Sequence, residues 1–245
     1  MLCTAPRSGS TLLCRLLAAT GVAGNPASYF YDPTVEEWLS DLGLAAEAGA
    51  SGLDRLHMVV GEVLRRGRAG TGLFGLRQQA TGRAFLCAQL AHLAPQETTE
   101  AGRIRVVFGP TLFLHLTRSD KVAQAVSLLK ARQTGLWHQA PDGSDLERTA
   151  PHQDPAYDPE AIRACVADLT RQDQDWTTWF QREGITPLCL TYADLSADPL
   201  TMLRHVLDHL GLDPAAADGV TPGTRKLADS TSADWVERFR GMRDQ

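Results

Sequence analysis

The chain has 245 residues, 43% of them hydrophobic and 22% charged; at roughly 150 residues per domain this allows one large domain or two small ones and excludes wholesale disorder. Its 24 Lys and Arg against 29 Asp and Glu give a formal charge of -5. That balance argues against a general nucleic-acid binder but leaves room for a local basic pocket around a small anion.

Leu2 to Ala5 reads as a strand, residues 6–11 as a small-residue turn, and Leu12 to Ala19 as a helix ended by Gly21, Gly24 and Pro26. So short a first strand, against about five or six residues in an ordinary one, suggests that a few native residues precede Met1. Val35 to Ala48 and Leu53 to Leu64 are predicted helices, Phe74 to Leu76 a short strand, and Phe85 to Leu93 a helix stopped by Pro95. Arg103 to Phe108 fits a strand or a helix end. Leu112 to Thr117 is a continuous apolar run, the pattern of a buried parallel strand, and Val122, Val126 and Leu129 follow at helical spacing. Residues 138–159, rich in proline and polar side chains, predict a long surface excursion. Ile162, Val166, Leu169, Trp176 and Phe180 stripe a helix, where the tryptophans are expected in the core. Pro187 to Tyr192 is a strand, Leu200 to Leu210 a helix, and a polar helix closes the chain around Asp234 to Arg240. Strands alternating with helices, without a hinge-like linker, predict one α/β domain over 1–245 with a central mainly parallel sheet and helical insertions.

Cys3, Cys14, Cys87, Cys165 and Cys189 form no CxxC pair, so neither a zinc site nor a disulfide scaffold is expected. No apolar run approaches the ~18 residues of a membrane span, and a soluble cytoplasmic protein without membrane insertion is the expectation.

The most informative segment is Arg7-Ser8-Gly9-Ser10-Thr11. Gly9 presents no side chain to an anion, the following helix adds its N-terminal N–H groups and positive dipole end, Ser8, Ser10 and Thr11 offer hydroxyl donors, and Arg7 offers a charged fork. An ordinary serine–glycine helix cap is the plain alternative. The nucleotide-triphosphate loop GxxxxGK[ST] is absent, because no lysine precedes Ser10 or Thr11, and so is the dinucleotide pattern GxGxxG. Arg118 falls at the carboxyl end of the buried strand, where open α/β sheets bind ligands, and Ser127 lies on the following helix. The two suit a second phosphate; a strand cap and a helix-facing serine are the alternatives.

These segments, residues 6–13 and 115–127, together with Phe74-Gly75-Leu76-Arg77, Thr191-Tyr192-Ala193-Asp194-Leu195, residues 226–229 and Asp234-Trp235-Val236-Glu237-Arg238, resemble the bacterial sulfotransferase family typified by trehalose 2-sulfotransferase. The similarity runs over nearly the whole chain. It implies a P-loop-like α/β fold and 3'-phosphoadenylyl sulfate (PAPS) as sulfuryl donor, with no metal. Arg7 to Thr11 then match the cradle of the 5'-phosphosulfate, Arg118 and Ser127 the 3'-phosphate pair, and Lys226, beside Arg225, a loop closing over the donor. The implied acceptor is a hydroxyl of a trehalose-like carbohydrate or other small metabolite, and related members form homodimers.

The chain departs from that pattern where the family's catalytic glutamate is expected. Ser28 stands there, and Asn25 stands at a second acidic position; neither takes a proton near pH 7 as a carboxylate does. Replacement by Asp32 or Glu36, with Glu37 nearby, by His57 or His115, or a different acceptor remain the three accounts. Arg77 occupies a position that is usually lysine and is expected to stabilise developing charge in the transfer. Trp137 beside His138, and Tyr29-Phe30-Tyr31, are candidate acceptor walls, with core packing as competitor. The rival readings are a small-molecule kinase, disfavoured by the missing loop lysine, and a non-catalytic binder of adenosine 3',5'-bisphosphate.

Overall fold

The computed structural model describes residues 1–223, 227 and 229–242. Four parallel strands form the central sheet: β1 (Leu2–Thr4), β2 (Arg77–Gln79), β3 (Leu114–Thr117) and the later Leu188–Thr191 strand, in the order β2, β1, β3 and then that strand. A separate antiparallel hairpin, β4 (Leu136–Gln139) and β5 (Asp145–Arg148), comes between β3 and it, so Leu188–Thr191 is β6. The helices in chain order are α1 (Ser10–Ala19), α2 (Val35–Asp41), α3 (Gly52–Arg68), α4 (Ala80–Leu93), α5 (Glu100–Phe108), α6 (Lys121–Thr134), α7 (Pro159–Glu183), α8 (Tyr192–Ala197), α9 (Pro199–His209) and α10 (Ser230–Gly241).

Alternation along the strands sorts side chains to the two faces of the sheet. Leu2, Leu114, Leu116 and Leu190 pack with Leu13, Leu16 and Leu17 of α1 and Leu203, Val206 and Leu207 of α9. Cys3 faces the other way, into a core of Trp38, Val59, Leu90, Ile104, Trp176 and Trp179 from α2, α3, α4, α5 and α7. A third cluster joins Val126 and Leu129 of α6, Ile162 and Leu169 of α7 and Trp235 of α10. Helices thus cover both faces of a parallel sheet, as strands buried on both sides require.

Several elements differ in extent from expectation. The strand expected at Phe74 to Leu76 runs instead over Arg77–Gln79, because Leu76 forms only an isolated bridge to Ala27 before the chain joins β1. Residues 103–108 are helical: Thr99 caps α5 by accepting from the Gly102 N–H at 3.0 Å. The 138–159 excursion contains most of the β4–β5 hairpin, whose second strand is fully exposed and carries no apolar alternation. Among the described residues no helix is long and apolar enough to cross a membrane.

The sheet order places β1 between β2 and β3, so the chain leaves β1 on one side and returns on the other. Crevices at such reversals, beyond the strands' carboxyl ends, are where open α/β sheets take ligands. The loops after β1 and β3 carry Arg7 and Arg118.

Candidate active site

The turn from β1 into α1 has two residues with left-handed backbone, Arg7 at φ 61° and Gly9 at φ 90°. Gly9 is the helix cap and supplies no side-chain acceptor, so no capping side chain occupies the first turn of α1. The helix N-terminus therefore faces the crevice with its partial positive charge. Ser8 does not contribute its hydroxyl there: the side chain is buried and bonds the Thr4 hydroxyl on β1. Its expected role as a hydroxyl donor is corrected on that ground, and its backbone N–H is what it can offer. Gly9, Ser10 and Thr11 line the crevice.

Three guanidinium groups converge on this turn. Arg7 donates from Nε to Ser127 Oγ at 3.0 Å and from Nη1 to the Trp137 carbonyl at 2.5 Å. Burial, and next the nearby Arg118, lower its pKa to about 10, so it stays cationic at neutral pH. Arg118 lies 4.5 Å over the Tyr192 ring and reaches back towards the Arg7 carbonyl at 3.5 Å; burial also lowers its pKa. Arg77 donates to Ser28 Oγ at 2.8 Å and to Thr11 Oγ1 at 2.7 Å. The Ala27–Leu76 bridge sets this register by bringing Ser28 alongside β2.

Together these groups floor a cleft of about 1280 Å³. The β4–β5 hairpin contributes Trp137, His138, Gln139 and Glu147 to its lining, and Tyr31, Gln79 and Tyr192 also line it. His138 Nε2 is 2.9 Å from Thr11 Oγ1 and 3.6 Å from a Glu147 carboxylate oxygen. Burial first, then Arg7, Arg77 and Arg15, press the His138 pKa down to about 3. At the cleft's edge Lys130 bonds Asp229 Oδ1 at 2.6 Å and Ser232 Oγ at 2.9 Å, joining α6 to the start of α10.

The expected proton acceptors fall elsewhere. Asp32 shares a hydrogen bond with Asp41, which raises its pKa, and Glu36 pairs with Arg55 at 3.2 Å; neither lines the cleft. Helix α2 begins at Val35, capped by Thr34, and this turns its first-turn acids outward to solvent. His57 is exposed on α3. His115 is buried on β3 against Phe180, its Nε2 without a partner and its pKa lowered by burial. Phe30 is in the core and Tyr29 packs against it, leaving exposed Tyr31 alone of the three aromatics on the cleft. Lys226 and Arg225 lie outside the described residues. Among the described residues no three His, Cys, Asp or Glu side chains group as a metal site. Glu147 was not foreseen, because nothing in the sequence of an all-exposed strand marks one carboxylate among its neighbours.

The family profile described as Stf0 sulphotransferase matches residues 1–242. The trehalose 2-sulfotransferase of Mycobacterium tuberculosis is 32% identical over 254 aligned positions, covering 96% of this chain and 91% of that protein. The trehalose 2-sulfotransferase of Mycolicibacterium smegmatis is 30% identical over 251 positions, with the same coverage of 96% and 91%. Among solved structures, the sulfotransferase domain of the Synechococcus PCC 7002 olefin synthase superposes with a TM-score of 0.46 at 16% identity. It covers 98% of this chain and 93% of that one.

Proposed function

The chain belongs to the Stf0 sulphotransferase family, and from that membership we propose which groups of the cleft hold the donor and what kind of acceptor faces it. The protein is a PAPS-dependent sulfotransferase acting on a small-molecule hydroxyl. The observation that carries the finer reading is the meeting of the uncapped α1 N-terminus with Arg7, Arg77 and Arg118 in one cleft. Such a site concentrates positive charge where a dianion is needed, in a molecule whose total charge is -5.

In this reading the 5'-phosphosulfate sits on the N–H groups of Gly9 to Thr11, and the 3'-phosphate between Arg118 and Ser127. Ser127 Oγ already accepts from Arg7, so its own hydrogen is available to donate to phosphate. The acceptor oxygen attacks sulfur in line with the departing phosphate oxygen, and Arg77 and Arg7 offset the negative charge that grows on the leaving group. Both are held in place by hydrogen bonds, so little reorganisation is needed during transfer.

The acceptor we assign is a sugar of the trehalose class. A cleft of about 1280 Å³ exceeds the ~300–1,000 Å³ of an ordinary small-molecule pocket, enough for a nucleotide beside a disaccharide. Its lining combines the aromatic side chains of Tyr31 and Trp137 with the polar groups of Gln79, Gln139 and Thr149, the mixture a carbohydrate's apolar faces and hydroxyls require. The test joins calorimetry with adenosine 3',5'-bisphosphate to transfer of label from PAPS to trehalose. Arg118→Ala removes a charge-assisted phosphate contact worth about 1.5–3 kcal/mol, so its Kd rises about 10- to 150-fold with the fold intact. Unchanged affinity refutes the phosphate assignment, and transfer to phenols but not sugars refutes the acceptor class.

A further inference from the structure

A hydroxyl acceptor must lose its proton as it attacks, and few groups on the cleft can receive one. Ser28 is neutral, and its oxygen is engaged by Arg77. Asp229 is committed to Lys130 and to capping α10, and its pKa is lowered to about 2. His152 is exposed, beside Asp154. His138 is different. It is half-buried, its Nε2 lies 2.9 Å from Thr11 Oγ1 in the first turn of α1, and Glu147 approaches the same nitrogen at 3.6 Å.

Resting on the sulfuryl-transfer reading above, we propose that His138 is the general base, its Nε2 taking the proton of the acceptor hydroxyl, and that Glu147 is a positioning residue that stabilises the resulting imidazolium. The hydrogen bonds set the tautomer. Arg77 donates into Thr11 Oγ1, so the single hydroxyl hydrogen of Thr11 is directed to His138 Nε2, which is then an acceptor. An anion at the α1 N-terminus draws that hydrogen to itself and leaves Nε2 open to the acceptor. The acceptor oxygen forms a bond to sulfur, and the bond from sulfur to the 5'-phosphate oxygen breaks. Its electron pair leaves with adenosine 3',5'-bisphosphate, and the hydroxyl proton goes to Nε2.

The charges around the imidazole make this base dependent on the donor. Burial disfavours its protonated form most, followed by Arg7 from the first loop, Arg77 from β2 and Arg15 from α1, while the Glu147 carboxylate from β5, 3.6 Å away, favours it. A bound dianion offsets the three cations, though not the burial, so the His138 pKa climbs above about 3 and the imidazole becomes a better proton acceptor. The base is thus strengthened when the anionic nucleotide occupies the cleft.

The experiment follows the His138 imidazole by NMR titration of the full chain, with and without adenosine 3',5'-bisphosphate, alongside turnover of labelled PAPS with trehalose. The expected result is an upward shift of more than about one pH unit on binding, reduced in Glu147→Gln. His138→Gln lowers kcat by about 10²- to 10⁴-fold, leaves the Kd of adenosine 3',5'-bisphosphate within about threefold, and removes the acidic limb of the kcat profile. If trehalose is inert, release of sulfate from PAPS into water serves as the turnover readout. A His138 that does not shift on binding, or a His138→Gln variant with unreduced turnover, overturns the base while leaving the donor site standing. No binding of adenosine 3',5'-bisphosphate overturns the donor site, and the base falls with it.

Discussion

At Gly9 two constraints coincide. The backbone sits at φ 90°, and a Cβ there would lie 2.7 Å from Tyr192 Cδ2. The Tyr192 ring has little freedom to retreat, since Arg118 covers it at 4.5 Å. Gly9→Ala is therefore expected to cost about 1–3 kcal/mol, read as a lower urea midpoint, with weaker binding of adenosine 3',5'-bisphosphate because the α1 N-terminus moves. Equal stability and affinity would mean that the turn relaxes freely. The glycine itself was legible, as was Arg118 at a strand end, since both follow from turn and strand chemistry within a few residues. The direction of Ser8 was not: whether a serine in a tight turn faces the ligand or the strand below depends on the Thr4 hydroxyl. Asp32 and Glu36 were near in number and not in space, because the Thr34 cap fixes where α2 starts.

Among the elements, α7 shows how a helix far along the chain supports the first loop. Trp176, fully buried, donates its indole N–H to the Thr4 carbonyl at 3.0 Å, at the end of β1 just before the loop. Its ring stacks on Phe180 with centroids 5.7 Å apart. Trp176→Phe keeps most of the packing but leaves that carbonyl without its partner, so a loss of about 1–3 kcal/mol is expected, measured by urea unfolding. A loss below about 0.5 kcal/mol would show that the bond is dispensable. The apolar stripe of α7 was plain in the sequence, as were the buried strand β3 and the αβ alternation. The hairpin was not, because β5 has no buried face and its proline- and glycine-rich surroundings have the composition of a loop. The short β2 shifted for a related reason: three residues give too little pattern to fix a register that the sheet decides.

For the whole molecule, the cationic cleft stores mutual repulsion between Arg7 and Arg118, which an anionic ligand relieves. Adenosine 3',5'-bisphosphate at 100 times its Kd should stabilise the fold by about 2.7 kcal/mol, seen as a raised urea midpoint. The same concentration should give Arg118→Ala a much smaller gain. An equal gain in both proteins would place the nucleotide elsewhere. The hairpin that lines this cleft is fastened to the β1–α1 loop by Arg7 through the carbonyl of Trp137, a main-chain group that every amino acid possesses. Its attachment is therefore indifferent to the side chain carried at that position. The arginine side of the cleft is assembled from segments far apart in the chain, but the hairpin side is one contiguous stretch, residues 136–149, tied to the first loop by that carbonyl and by the His138 imidazole on Thr11 Oγ1. Such a segment behaves as a partly exchangeable cassette: with His138 and Glu147 kept, lineage divergence or deliberate grafting can rewrite its other positions, and with them what enters the cleft, without touching the loops of Arg7 and Arg118.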